Sequence, residues 1–211
     1  MFRRILDLSL AILLLFLLAP LLLTIAILIY VTDGRPIIYR QHRVGFGGMP
    51  FNVHKFRTMR NSVEKTGSLT FRSDPRVTRL GKVLRATKLD EFPQLINIIR
   101  GEMSFVGPRP EVLDWAATFS PEEREVFNRL PGLTDPVQLL FRHEHEYLED
   151  DEQYRKLLRI KVRKQIEYSR NRNLRSDLRV LIQTPFAIAR RRPEPLELDI
   201  YRQVGCKKAL E

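Results

Sequence analysis

The sequence predicts an α/β protein, mostly helical with a small β-hairpin or sheet, in which a membrane-inserted helix precedes a compact domain carrying further amphipathic helices. Three observations predict it. An uncharged apolar run extends from Leu8 to Val31, two alternating runs flank a glycine cluster at Gly45, Gly47 and Gly48, and helical periodicity recurs from residue 76 onward. The chain has 211 residues, enough for one domain and an appendage. We divide it into a membrane helix at 1–35, a main domain at 36–192 and a C-terminal tail at 193–211. Lys and Arg number 36 against 25 Asp and Glu, a net charge of +11 that points to an anionic partner: nucleic acid, a phosphorylated substrate or an acidic membrane face. Cys206 is the single cysteine, which excludes an intrachain disulfide and a cysteine-rich metal site and fits a reducing compartment.

At a rise of about 1.5 Å per residue, the run from Leu8 to Val31 is long enough to cross a hydrocarbon core roughly 30 Å thick. It is longer than the core of a signal peptide, and no small-x-small site closes it. Arg3 and Arg4 precede the run while Arg35, Arg40 and Arg43 follow it, so the distribution of positive charge assigns no orientation. Pro20 removes one backbone hydrogen bond in the middle of the segment and bends it. A bent helix that enters and leaves one leaflet would reconcile both charged flanks; an ordinary kinked spanning helix fits the pattern equally. Asp7, beside Arg3 and Arg4, is expected as a paired interfacial charge.

Turn formers at Thr32-Asp33-Gly34-Arg35-Pro36 end this helix. The runs Ile37–Gly45 and Phe51–Arg57 then read as a hairpin whose polar face carries His54 or Lys55 and Arg57. The glycines between them lack the spacing and the following helix of a dinucleotide fingerprint. Residues 60–75, with Asn61, Ser62, Thr66, Gly67, Ser68 and Ser73, read as a mobile polar loop. Val77, Leu80, Val83 and Leu84 next recur at helical spacing among Arg76, Arg79, Lys82 and Arg85, giving a basic helix that runs towards an acidic pair.

That pair lies in Lys88-Leu89-Asp90-Glu91-Phe92-Pro93-Gln94-Leu95. Proline is tolerated in the first turn of a helix, so the spacing predicts a helix beginning near Asp90, with both acids at its positive end. Such an N-terminus also suits a phosphate group. The same eight residues fit a plainer reading, with Asp90 as an N-cap and Glu91 as a first-turn acid. Further on, Pro108 and Pro110 flank Arg109 and stiffen its backbone, presenting a guanidinium suited to bidentate phosphate capture or placing it in a simple surface turn.

Residues 111–129 predict a short helix and a second start at Ser120-Pro121-Glu122-Glu123. His143 and His145 lie among acids but have no companion ligand pair, and read as solvated rather than metal-binding. Tyr154, Leu158, Val162 and Ile166 form an apolar stripe flanked by Arg155, Lys156, Arg159, Lys161, Arg163 and Lys164. This is a helix that covers the core and offers a basic flank to anionic lipid. A last helix with Leu178, Leu181, Ile182 and Phe186 ends in Arg190, Arg191 and Arg192, and from Pro193 the chain is expected to be extended.

Taken together, Lys55-Phe56-Arg57-Thr58-Met59, Asp74-Pro75-Arg76-Val77-Thr78, Leu84-Arg85, Leu89–Leu95, Gly101-Glu102-Met103-Ser104 and Gly107-Pro108-Arg109-Pro110 resemble the bacterial sugar transferases, the monotopic phosphoglycosyl transferases. The resemblance runs from the membrane helix to about residue 190 and rests on several linked motifs in order. It implies a catalytic domain on the cytoplasmic face of the bacterial inner membrane that transfers a sugar 1-phosphate from a UDP-sugar to a polyprenyl (undecaprenyl) phosphate, releasing UMP and initiating polysaccharide or glycoconjugate assembly. Carried onto this chain, Asp90 is the nucleophile forming a phosphosugar-aspartyl intermediate, and Glu91 helps to hold Mg²⁺. Arg85 and Arg109 bind phosphate oxygens, with Lys55 and Arg57 as further candidates.

The resemblance also implies a re-entrant helix bent at a Ser-Pro pair, where this chain has Ala19-Pro20. Leu130-Pro131-Gly132-Leu133-Thr134 resembles the family's Pro-Gly-Ile-Thr-Gly run, but Asp135-Pro136 departs from it. Two alternatives stand beside this reading: a membrane-tethered glycosyl transferase releasing UDP, and a non-enzymatic basic membrane-binding module. Nucleic acid is not an expected partner, because the chain shows no recognisable nucleic-acid fold motif or aromatic stacking platform.

Overall fold

The computed structural model describes residues 2–60, 74–190, 192–206 and 209. Residues 61–73 of the expected polar loop, and Arg191 of the terminal arginines, lie outside the described residues. The order is α1 (Phe2–Asp33), β1 (Ile38–Val44), β2 (Pro50–Phe56), α2 (Arg79–Thr87), α3 (Leu95–Arg100), β3 (Ser104–Val106), α4 (Leu113–Ala116), β4 (Gly132–Thr134), α5 (Pro136–Leu140), α6 (Glu144–Tyr147), α7 (Asp151–Asn171), α8 (Leu174–Ala189) and α9 (Pro195–Gln203). The mostly helical class with small sheets is as the sequence predicts.

The expected hairpin forms, with β1 and β2 antiparallel from Ile38 opposite Phe56 to Val44 opposite Pro50. β3 and β4 pair in parallel, Ser104 with Gly132 and Val106 with Thr134. Gly107, just past the end of β3, touches Gly132, the first residue of β4. A Cβ on Gly107 would stand 2.4 Å from the Leu130 carbonyl oxygen and 2.9 Å from the Gly132 nitrogen, so only glycine lets the backbones meet.

α1 is docked along one side. Leu10, Ala11, Leu14 and Leu15 pack with Leu95, Ile98, Met103, Phe105 and Val180. Two turns beyond Pro20, Ile25 and Ile29 meet Phe56 and Leu84. The opposite side is open, with Phe16 77% and Leu23 63% exposed. Near one end Arg4 donates to the carbonyls of Ile98 and Ile99, at 2.5 and 2.9 Å, closing the C-terminus of α3. Asp7 is a departure from expectation. Its carboxylate accepts from Ser104 Oγ at 2.7 Å and from the Phe105 backbone N–H, so it ties α1 to β3 instead of pairing with Arg3 or Arg4.

The stripe predicted on α7 is buried at Tyr154, Leu158, Val162 and Ile166, within the largest core. α8 buries Val180 and leaves Leu174, Leu178, Ile182 and Phe186 exposed, one residue per turn along a single face. The segment expected to be extended after Pro193 instead forms α9. Pro195 occupies its first turn, Glu194 and Glu197 close a capping box, and Ile200, Tyr201, Val204 and Cys206 enter the α7 core. Tyr201 stacks on Tyr147 at 4.8 Å and donates to Glu197 at 2.7 Å. His143 is likewise buried rather than solvated: its Nδ1 lies 3.3 Å from Glu197.

Candidate active site

The hairpin, the segment around Asp90 and the Arg109 loop converge on one group of charges. β2 delivers Lys55. Asn97, fully buried on α3, fixes the strand beside it: its side-chain oxygen accepts from the His54 backbone N–H at 3.1 Å and its amide donates to the Asn52 carbonyl at 2.7 Å. α2 is capped by Thr78 and lies against the backbone of Thr58, whose hydroxyl accepts from Arg85 Nε at 2.8 Å. Lys88 then ends α2 in the left-handed conformation, at φ 60°.

From Leu89 to Gln94 the backbone is a tight 3-10 turn, and α3 begins only at Leu95. Asp90 and Glu91 therefore do not occupy the positive end of an α-helix, and Asp90 is not its N-cap. The left-handed Lys88 breaks the helical path before Asp90, and the Glu91 N–H bonds back to the Lys88 carbonyl, three residues away. Side-chain cations, not a helix dipole, hold the acids.

Both acids are buried. Glu91 Oε1 meets Lys55 Nζ at 3.0 Å and Arg109 at 3.4 Å. Burial pushes its carboxyl up, but Lys55, Arg109 and Lys88 together hold it well below the ordinary range. Asp90 has the opposite balance. Burial first, and the neighbouring Glu91 charge second, raise its pKa against Lys55, Lys88 and Arg85. Its Oδ1 is buried without a hydrogen-bond partner among the described residues. Burial, with Arg109 and Arg43, lowers Lys55 to about 8 despite the attraction of Glu91. Burial also lowers Arg85 from the usual guanidinium value, although Asp90 and Asp74 oppose that shift.

Of the sequence candidates, Lys55, Asp90, Glu91 and Arg109 are brought together. Arg85 enters their electrostatic environment from α2. Arg57 does not belong to the site. It is buried and donates to the carbonyls of Asp33, Gly34 and Arg35, at 2.5, 2.8 and 2.7 Å, where it closes the C-terminus of α1. Gln138, which accepts from Arg109 at 2.8 Å, was not legible as a site residue, and Lys88 was legible only as a flank of the acids.

The residues present fit Mg²⁺. It is a hard cation that takes one or two carboxylates and completes its shell with water and substrate phosphate. Among the described residues Asp90 Oδ1 has no partner and no hydrogen bond engages Glu91 Oε2. A carboxylate with a free buried oxygen, a second held ionised beside it and several cations around both can bind a diphosphate and attack it.

Residues 1–191 match the family model for bacterial sugar transferases. The chain is 38% identical over 187 residues to the UDP-glucose:undecaprenyl-phosphate glucose-1-phosphate transferase of Caulobacter vibrioides, covering 86% of this chain and 67% of the relative. It is 40% identical over 133 residues to a putative undecaprenyl-phosphate N-acetylgalactosaminyl 1-phosphate transferase of Bacillus subtilis, covering 63% and 70%. A similar match, 35% over 193 residues, links 87% of this chain with 39% of the UDP-glucose:undecaprenyl-phosphate glucose-1-phosphate transferase of Escherichia coli. With its acidic pair, the cations gathered around it and this match along its length, the chain belongs to the bacterial sugar transferase family.

Proposed function

We propose that the protein transfers a sugar 1-phosphate from a UDP-sugar to undecaprenyl phosphate at the cytoplasmic face of the bacterial inner membrane, starting the assembly of an exopolysaccharide, O-antigen or glycoconjugate. The observation that carries this reading is the asymmetry of the acidic pair: Glu91 is engaged by Lys55 and Arg109, while Asp90 keeps a buried oxygen uncommitted. In the first step an Asp90 oxygen attacks the sugar-bearing phosphorus, the bond to the bridging diphosphate oxygen breaks, and UMP leaves with that oxygen. In the second, a phosphate oxygen of the polyprenyl acceptor attacks the same phosphorus and displaces the Asp90 carboxylate. Arg109, Lys55 and Arg85 hold the phosphate oxygens as charge moves onto the leaving group. Glu91, with Asp90 nearby, would hold Mg²⁺, which when bound neutralises the diphosphate.

A re-entrant α1 fits this chemistry, because the acceptor phosphate lies at the membrane surface. Arg4 and Asp7 secure one end of α1 to α3 and β3, and Arg57 secures the other, so both ends meet one domain. A spanning helix would place its ends on opposite sides of the bilayer, where a domain on one face could not hold both. The exposed face of α8 beside α1, Leu174 to Phe186, suits the same lipid surface, and the chain's positive excess suits anionic lipid.

The test is nucleotide release by the detergent-solubilised protein with Mg²⁺, undecaprenyl phosphate and a panel of UDP-sugars. The expected product is UMP, dependent on acceptor and abolished in Asp90→Asn. Release of UDP would replace this reading with direct glycosyl transfer, and appreciable UMP from Asp90→Asn would remove the covalent step.

A further inference from the structure

We propose that Gln138 is a positioning residue for Arg109, held in register by Asp135, at the point where the sequence departs from the family's Pro-Gly-Ile-Thr-Gly run. This rests on the functional reading above, in which Arg109 binds the donor diphosphate. Among the described residues Arg109 is the one guanidinium that touches Glu91, and its two terminal nitrogens divide their work: one reaches Glu91 Oε1 at 3.4 Å and the other donates to Gln138 Oε1 at 2.8 Å. The shorter contact is to Gln138, so the glutamine and not the acid fixes the plane of the fork.

The Gln138 amide has its own fixed orientation. Its Nε2 donates to Asp135 Oδ2 at 3.0 Å, so its oxygen must face Arg109; turned over, it would set an N–H against a guanidinium and an oxygen against a carboxylate. Asp135 is almost fully buried and saturated with donors. Its Oδ1 accepts from the backbone N–H groups of Val137 and Gln138, at 2.6 and 3.0 Å, and its Oδ2 accepts a second donor, Gln165 of α7, at 3.2 Å. Burial raises the Asp135 carboxyl pKa against these hydrogen bonds.

Capping α5 needs only the two backbone bonds. The Oδ2 pair is extra, and it makes a continuous path from α7 through Asp135 and Gln138 to Arg109 and Glu91. A glycine at position 135 could hold neither Gln138 nor Gln165. The chain thus uses a buried carboxylate to hold an amide and the amide to aim a cation, while Arg109 keeps its charge for phosphate.

Gln138 variants test this better than Asp135 variants, which lose the α5 cap. In the full-length protein, steady-state UMP release is measured against UDP-sugar and against undecaprenyl phosphate for wild type, Gln138→Met, Gln138→Glu, Arg109→Lys and the Gln138→Met/Arg109→Lys pair. Thermal unfolding and Mg²⁺-dependent UDP binding are followed alongside. Gln138→Met keeps the volume and is expected to raise the donor KM and the UDP Kd about tenfold, the scale of one lost hydrogen bond to a charged group, with the acceptor KM unchanged. Gln138→Glu keeps an acceptor for Arg109 but sets an oxygen against Asp135 Oδ2, and is expected to lose at least as much as Gln138→Met. In the Arg109→Lys background the Gln138→Met effect is expected to fall below threefold, because the fork it orients has gone.

A uniform fall in kcat with both KM values unchanged would assign Gln138 a structural role and overturn the proposal. Equal loss in both Arg109 backgrounds would overturn it too. If wild type releases UDP in place of UMP while the donor and UDP effects persist, the phosphosugar reading fails and the positioning role stands. Wild type that neither binds UDP nor turns over any donor refutes both.

Discussion

Lys55 offers the sharpest test of the site's electrostatics. Its ammonium is half of the ion pair with Glu91, yet burial brings its pKa from the ordinary 10.5 down to about 8. That displacement corresponds to about 3 kcal/mol of net opposition to the charged form. At pH 7 about nine-tenths of the free enzyme carries the charge, and at pH 9 about one-tenth does. If Lys55 holds donor phosphate as a cation, kcat/KM for the UDP-sugar should fall about tenfold between those values, since this ratio reports the free enzyme. Unfolding does not produce the same limb. The folded pKa lies below the unfolded one, so between about pH 8 and 10.5 the folded chain binds fewer protons and this group adds stability as pH rises. The assay is UMP release from pH 6.5 to 9.5 at fixed Mg²⁺, with circular dichroism at each point. Lys55→Arg stays charged and should keep its own kcat/KM level to pH 9.5. A wild-type profile flat to pH 9.5, or an identical fall in Lys55→Arg, would refute the assignment of Lys55 as a phosphate-binding cation.

Three further outcomes follow from the packing. Gly107→Ala would place a Cβ 2.4 Å from the Leu130 carbonyl and should lower stability by about 2 kcal/mol, a drop of roughly 4–8 °C in Tm. Tyr201→Ala should cost about 3–5 kcal/mol in denaturant unfolding, because the ring is fully buried against Tyr147 and Phe141; wild-type stability in that variant would mean that the C-terminal segment is not part of the core. In a Cys206→Ser background, cysteines placed singly at Phe2 and Thr32 should both react with an impermeant thiol reagent in inverted vesicles and neither in intact spheroplasts. Labelling from opposite sides would establish a spanning α1.

The hairpin and α7 were legible because each buries one face at its own period, two for a strand and about 3.6 for a helix. Asp90, Glu91 and Arg109 were legible as residue types at motif spacing. Arg57 was misplaced because its partners are three backbone carbonyls at the end of α1, and a carbonyl has no letter in the sequence. Asp7 was misplaced for the same reason in part, since its partners, Ser104 and the Phe105 N–H, are nearly a hundred residues away. From Pro193 the sequence reads as extended, although Pro195 followed by Glu197 is also a helix start, and the apolar spacing of Ile200, Tyr201 and Val204 supports it. Gln138 carried no signal at all, because its role depends on a loop 29 residues away.

The two neighbouring acids acquire different chemistry from backbone geometry. Consecutive side chains on a 3-10 turn leave the axis about a third of a turn apart, so Asp90 and Glu91 face different surroundings although they share a peptide bond. Glu91 meets Lys55 and Arg109 and is held ionised well below the ordinary range. Asp90 receives the burial with less of that compensation, plus the repulsion of Glu91, and its pKa moves the other way. A carboxylate whose proton affinity is raised is a stronger nucleophile once ionised, while one stabilised by two cations is a poor nucleophile and a dependable ligand for charge. The cations would therefore suppress attack by Glu91, while burial and the Glu91 charge would sharpen attack by Asp90 against the pull of Lys55. Exchanging the two acids in sequence would not exchange their roles, because the roles belong to the positions.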